Sequence, residues 1–431
     1  MRGDIIAAGI ILVVGAFLLA TLFGFMDADG QSYDRQMEYE DWIDYDTGTI
    51  LGTEGPIEIV DGKIHAIGVG NAHLVKEDGS IYRIKIVPAH ADLILMNGQS
   101  NAAYYKADGD LPDAADLQQT PSPSLGKAFY FGSETRMPYR EADNVSTFGI
   151  YDFVDPAGAV RVGDKGPGFC KEYTEITGKK ALWVSLGIPS KRIAAWDQPD
   201  GSAWTQDVRI MDAFNAKLKD TGFIIDRTIV IWSQGESDYL HNTGYAHYIS
   251  SFQKLHDAAP AAWGHSIDAW YLLEGRTEKV GWVNQAFEQL ATDMPDVNIA
   301  TLAVLVDSFS VTNGFMEPDN LHYSQLGDNA LANGAARSIA GAKGIAPVYL
   351  IQDRMTAAVG SAADAPATAI LYRTDGSPAL ALVTWDSAPD TATAGEYVIY
   401  GTPSGVTQGM CLQFTPRPML IVTVTATEVT P

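Results

Sequence analysis

Residues Asp92–Asn101 read DLILMNGQSN. Four apolar side chains, Leu93–Met96, stop at Asn97, and Gly98-Gln99-Ser100-Asn101 follows at once. A short apolar run that ends in turn residues is the pattern of a strand buried on both faces. Similar runs recur as ALWVSL (Ala181–Leu186), TIVIW (Thr228–Trp232), IDAWYLL (Ile267–Leu273) and NIATLAVLV (Asn298–Val306). Candidate helices lie between them near 168–178, 205–220, 244–258 and 280–293, with a last one over about 325–342. Buried strands alternating with helices predict an α/β fold, a doubly wound parallel sheet covered on both faces. Sites in such sheets form beyond the carboxyl ends of the strands, and Ser100 lies just past one. Gly98 and Asn101 suit a turn there. Ser100 is then either turn filler or a nucleophile.

A serine hydroxyl becomes a nucleophile only beside a base, and the base needs an orienting group. EPDNLHYSQLG (Glu317–Gly327) supplies both. Asp319 and His322 are three residues apart after one apolar run and before the last helix, so a single turn can place both on one face. Asp319 can then hold one ring nitrogen of His322 while the other faces Ser100. The competing reading makes Asp319 an ordinary helix N-cap. A third polar block, Gln234-Gly235-Glu236-Ser237-Asp238, follows TIVIW, and its amides and carboxylates suit either an oxyanion site or a brace for the loop that carries one.

These blocks, Gly98-Gln99-Ser100-Asn101, then Trp232-Ser233-Gln234-Gly235-Glu236-Ser237-Asp238, then Asp319-x-x-His322, resemble those of the SGNH-hydrolase superfamily. The match is to its sialate O-acetylesterase-like branch, grouped with carbohydrate esterase family six, over residues 91–345. The resemblance implies Ser100 as nucleophile, His322 as base and Asp319 as its partner. It places the Ser100 backbone N–H and Gln234 in the oxyanion hole, with Gly98, Gln99, Asn101, Gly235, Glu236 and Asp238 as support. No metal or cofactor is implied. One block departs from the pattern. In SLGIPSKRIAAW (Ser185–Trp196) the Ile193-x-x-Trp196 spacing is kept, but the family's glycine pair falls on Pro189 and Ser190. Proline has no N–H to give, so the donor from this loop is either Ser190, where its backbone conformation allows, or a shifted loop marked by Gly187.

The flanks have another texture. Ile5–Met26 is about 22 residues without a charge, enough to cross a bilayer at about 1.5 Å per residue. The expectation is an uncleaved anchor over 1–29, N-terminus inside and bulk outside. A signal peptide, or a segment packed against its own copies through Ala7, Ala8, Gly9, Gly15 and Ala16, are the rivals. Residues 30–90 read as an acidic stalk and a small β-rich domain. There Asp61-Gly62 and Asp78-Gly79 each sit between alternating runs, as two-residue type I′ hairpin turns do. Residues 346–431 resemble a group-four bacterial immunoglobulin-like domain, expected as a β-sandwich, with Asp375-Gly376, Val383-Thr384-Trp385-Asp386, Gly395-x-Tyr397 and Gly401 carrying the likeness.

A formal charge of −24 over 431 residues disfavours nucleic acid as a partner. Two distant cysteines, Cys170 and Cys411, read as buried thiols rather than a disulfide framework. The expected protein is a membrane-anchored, extracellular carbohydrate O-acetylesterase acting on acetylated glycans, with sialic acid-like or polysaccharide acetyl esters as substrate. The alternative is a surface or virion structural or glycan-binding protein whose esterase-like domain turns over little. Self-association into a homo-oligomer or a larger surface assembly is an open partner in either case.

Overall fold

A computed structural model describes residues 33–45, 50–103, 114–138, 144–301, 306, 309–312, 314–340, 349–350, 353–360, 365, 368–372, 378–388, 391–404 and 419–425. The chain divides into two compact units, one built on residues up to His90 with Leu218–Ile224, the other on Ala91–Lys217 and Ile225 onward. The apolar segment Ile5–Met26 lies outside the described residues, as does Cys411. Among the described residues no helix is long and apolar enough to cross a membrane.

The described residues of the first unit up to His90 carry the strands β1 (Arg35–Glu38), β2 (Trp42–Asp44), β3 (Ile50–Glu54), β4 (Ile57–Val60), β5 (Lys63–Ala66), β6 (Gly70–Lys76) and β7 (Ile81–Val87). They form one sheet in the order β1-β7-β6-β3 and another in the order β2-β5-β4. Met37, Ile57, Ile64, Leu74, Ile84 and Ile86 fill its core. The β4–β5 hairpin closes with Val60 opposite Lys63, and Asp61 and Gly62 both take positive φ (51° and 76°), as a type I′ turn demands. The β6–β7 hairpin differs from expectation. There Lys76 N–H donates to Ser80 O, and only Gly79 takes positive φ (79°), so the connection is a longer loop with a left-handed glycine.

The second unit carries β8 (Ala89–Gly98), β9 (Ala128–Gly132), β10 (Gly149–Asp152), β11 (Lys180–Ser185), β12 (Phe223–Ser233), β13 (Ala269–Leu273) and β14 (Val297–Thr301) in one sheet, ordered β10-β9-β11-β8-β12-β13-β14. The pairs β9–β11, β11–β8, β12–β13 and β13–β14 are parallel; β10 is an antiparallel edge on β9. The architecture is thus mixed α/β with a mainly parallel sheet. Strand β8 is central and buried on both faces from Ala91 to Gly98, which is why its apolar run is continuous rather than alternating. Each Leu or Ile so buried contributes about 1.5–3 kcal/mol. The helices Lys165–Thr177, Ser202–Leu218, Tyr245–Trp263 and Trp282–Asp293 connect the strands, and Gln325–Ile339 follows them. This last helix packs on Lys165–Thr177. The chain leaves β8 toward β9 and returns through β11, then continues on the other flank with β12. The end of β8 is therefore the place where strand order reverses, the position at which such sheets take ligands.

The described residues of the tail carry the strands β15 (Tyr349–Leu350), β16 (Asp353–Ala358), β17 (Thr368–Tyr372), β18 (Pro378–Trp385), β19 (Gly395–Ser404) and β20 (Met419–Thr425). They join into one sheet, β15-β17-β18-β19-β20-β16, because the ten-residue β19 is long enough to serve two partners. Its Gly395–Tyr400 half pairs with β20 and its Gly401–Ser404 half with β18. Asp375-Gly376 lies outside the described residues.

Candidate active site

The site is assembled at the ends of β8, β11 and β12. The last residues of β8 are held from behind. Asn97 donates its amide to Asp207 Oδ2 (2.6 Å), which also accepts from Trp196 Nε1 (2.9 Å), and Asn97 Oδ1 accepts the Gly98 N–H (2.6 Å). Burial pushes the Asp207 carboxyl well above its usual range, against these two hydrogen bonds. Gly98 has φ +133°, and a Cβ there would lie 1.9 Å from Ser233 O. Only glycine lets β8 and β12 approach this closely while the chain turns. Gln99 N–H then donates to Ser233 O (3.0 Å), and Ser100 opens a short 3-10 turn, Ser100–Ala102.

The acid–base arm is the turn before the last helix. Asp319 Oδ1 accepts the N–H groups of Leu321 (2.9 Å) and His322 (3.0 Å), and Asp319 Oδ2 lies 2.5 Å from His322 Nδ1. His322 Nε2 lies 3.0 Å from Ser100 Oγ. An ionised carboxylate can only accept, so Nδ1 carries the ring proton and Nε2 presents its lone pair to the serine O–H. Burial alone would raise the Asp319 carboxyl; the two backbone donors and the His322 ring outweigh it and hold it below the usual range. The helix itself starts elsewhere. Its N-cap is Ser324, whose side chain accepts from Gly327 N–H, so Asp319 is not a helix cap.

The third block braces the first. Gln99 Oε1 accepts from the Ser237 N–H (3.2 Å) and lies near that of Gly235 (3.4 Å). Asn101 donates to Glu236 Oε1 (2.6 Å) and to Leu321 O (3.3 Å), joining the nucleophile turn to both other blocks. Burial pushes the Glu236 carboxyl up, against the hydrogen bond from Asn101. Gln234 differs from its expected oxyanion role. Its amide is committed to Asp238, Lys191 O (3.1 Å) and Gln99 Oε1 (3.3 Å), and its carbonyl accepts from Tyr248 OH (2.6 Å). Asp238 Oδ2 in turn accepts the Ile193 N–H (2.8 Å). Gln234 and Asp238 thus pin the loop 187–193 through Lys191 O and the Ile193 N–H.

In that loop Ser190 is exposed and takes φ +62°, the left-handed conformation that glycine favours, at the position where the resemblance expects glycine. Gly187 backs onto the nucleophile turn; a Cβ there would lie 2.7 Å from Ala102 C. Leu186 and Ile188 N–H groups donate to Met96 O and Gly98 O on β8, so by strand alternation the Gly187 N–H points away from β8.

Three residues that the sequence did not single out complete the surroundings. Lys165 donates from Nζ to Asn101 O (2.6 Å) and pairs with Asp328. Arg276 donates to Asn320 O (3.0 Å) and Oδ1 (2.9 Å) within the Asp319–His322 turn. None carries a local signal, since a buried cation and a surface one look alike in sequence.

No family model and no curated protein matches the chain. Solved structures do. A carbohydrate acetylesterase from Xanthomonas citri is 14% identical over 85% of this chain and 91% of that one, with a TM-score of 0.38. NanS is 15% identical over 60% of this chain and 97% of its own, at 0.38. A catalytic mutant of Axe2, an acetylxylan esterase from Geobacillus stearothermophilus, is 12% identical over 58% and 95%, at 0.34.

Proposed function

We propose that the chain is a serine O-acetylesterase of carbohydrates, using Ser100, His322 and Asp319. The observation that carries the reading is the unbroken run of contacts Asp319–His322–Ser100 at the end of a central, doubly buried strand. Ser100 Oγ attacks the acetyl carbonyl while His322 Nε2 takes its proton, and Asp319 steadies the imidazolium. Negative charge developing on the carbonyl oxygen meets the Ser100 N–H and the Ser190 N–H. Collapse breaks the ester C–O bond, and the departing sugar oxygen takes the proton from His322 and leaves as the hydroxyl. Water, deprotonated by the same nitrogen, then releases acetate and restores Ser100. Acetyl as the acyl group and a glycan as the alcohol follow from the resemblance of the three motif blocks. Residues 5–26 as a membrane anchor, with the rest outside, complete the proposal.

The test is acetate release from acetylated sugars and p-nitrophenyl acetate by the full chain in mild detergent. Ser100→Ala and His322→Ala are expected to abolish it, and release equal to wild type in both would overturn the reading. The replacement of a glycine pair by Pro189-Ser190 and the engaged amide of Gln234 favour a second reading, glycan binding with little turnover. Tight glycan binding without acetate release by the wild-type chain would select it.

A further inference from the structure

We propose that Lys165 is a positioning residue for the nucleophile, a buried cation that locks the serine turn to the acid–base arm. The proposal rests on the esterase reading. Lys165 is 2% exposed. Its ammonium donates to the carbonyl of Asn101, the residue after Ser100, at 2.6 Å. The same ammonium pairs with Asp328 in the last helix and lies 5.3 Å from the ring centre of Tyr323, the residue after His322. One charged group therefore touches the neighbours of both reacting side chains. A bare ammonium is expensive to bury, and it is tolerated here because a carboxylate, a carbonyl and an aromatic face surround it.

The backbone that delivers Lys165 is itself unusual. Asp164, just before it, is a non-glycine residue at φ +111°. Such a conformation persists only where the surroundings over-determine it. Gln325 does so from the last helix, accepting the Asp164 N–H at 2.9 Å and donating to its carbonyl at 3.1 Å. Asp164 also caps Lys165 N–H with its own carboxylate. These bonds fix the start of the helix Lys165–Thr177 and aim the lysine side chain under the serine turn. Without the ammonium, the Asn101 carbonyl would lose a charged donor inside a buried site, and the turn would gain freedom next to Ser100. A loss of alignment of about 1 Å at a reacting atom costs on the order of 10²-fold in rate.

The experiment measures Ser100 phosphonylation by a fluorophosphonate ester, in which Oγ forms the P–O bond and fluoride leaves, beside kcat and KM for p-nitrophenyl acetate. The full chain is compared as wild type, Lys165→Met, Asp328→Asn and the double variant, each with its thermal melt. The expected result is a fall in phosphonylation rate and kcat of roughly 10- to 100-fold for Lys165→Met, with KM within about threefold. Asp328→Asn, a near-isosteric change, should lose roughly 3- to 10-fold, and the double variant should lose no more than Lys165→Met alone because the two act as one unit. Wild-type labelling rates in Lys165→Met and Asp328→Asn would overturn the proposal while leaving the esterase reading intact. If Lys165→Met does not fold, Asp328→Asn with a native melt decides on the same criterion. No labelling of the wild-type chain would sink the esterase reading, and this proposal with it.

Discussion

Among the described residues His65, His256 and His322 are each gripped at both ring nitrogens, and the grips of His322 and His65 differ. His322, in the α/β unit, has Asp319 at Nδ1 and the Ser100 hydroxyl at Nε2. His65, in the small β unit, has Glu58 at Nδ1 (2.9 Å) and Glu40 at Nε2 (2.7 Å), with Trp42 stacked on its face at 3.9 Å. A ring with one carboxylate and one hydroxyl keeps a lone pair for an incoming proton. A ring between two carboxylates finds acceptors at both ends, which favours the doubly protonated form. Burial alone would lower the His65 pKa, but the hydrogen bonds to Glu40 and Glu58 outweigh it and raise it. The same side chain thus faces a hydroxyl in one setting and is biased toward its cation in the other.

Breaking the first grip should have the largest effect. His322→Gln keeps a polar side chain but no titratable nitrogen, and kcat for acetate release should fall roughly 10⁶-fold. Asp319→Asn is a finer probe, because an amide in place of the carboxylate permits the wrong ring tautomer. A fall in kcat of roughly 10⁴-fold is expected, with KM little changed. A loss below about tenfold would show that the carboxylate does not orient the ring. The sign of the stability effect follows from the lowered Asp319 pKa. The carboxylate's contribution is fully present above its unfolded value near 3.9 and is lost as pH falls through the lower folded value. Wild type should therefore lose more stability than Asp319→Asn below about pH 4.

Which of these features the sequence discloses depends on how local they are. Asp319 and His322 are three residues apart, and Gly98-Gln99-Ser100-Asn101 ends an apolar strand, so period and spacing expose them. The parallel sheet and its helices are legible for the same reason. The antiparallel edge β10 is not, because pairing direction is a property of two strands rather than of one. Asp61-Gly62 discloses its turn type, whereas the identical dipeptide Asp78-Gly79 does not. The register of β6 on β7 sets the length of that loop, and register depends on which faces are buried. Lys165 meets Asn101 across 64 positions and Asp328 across 163, with nothing local to mark it. Gln234 is a related case. Its partners come from the segments of Gln99, Lys191 and Asp238, and only their convergence shows that both amide protons are spent.

The loop that carries Ser190 offers a smaller test of the same site. A serine at φ +62° costs about 1–2 kcal/mol against the conformation it prefers, and glycine does not bear that cost. Ser190→Gly should leave stability unchanged or raise it by up to about 1 kcal/mol in denaturant unfolding, with kcat within about twofold. Ser190→Val is the counterpart. A β-branched residue resists the left-handed region, so the loop should move, the N–H should lose its aim, and kcat should fall roughly 10²-fold. Equal kcat for the glycine and valine variants would remove Ser190 from the oxyanion site.

Breaking the second grip should leave catalysis untouched and shift only the pH response. The stabilisation from charged His65 is fully present below its unfolded value near 6.5 and is lost as pH rises through the raised folded value. His65→Gln can still bond both carboxylates through its amide only in part and cannot carry the charge. It should lower stability below about pH 6.5 and converge with wild type at higher pH, while kcat per folded molecule stays the same. A carbon-detected NMR titration of the His65 ring should give a midpoint above about 6.5. A midpoint at or below that value would mean that two carboxylates at hydrogen-bond distance do not hold the ring charged. The contrast with His322 would then have to come from exposure rather than from the partners.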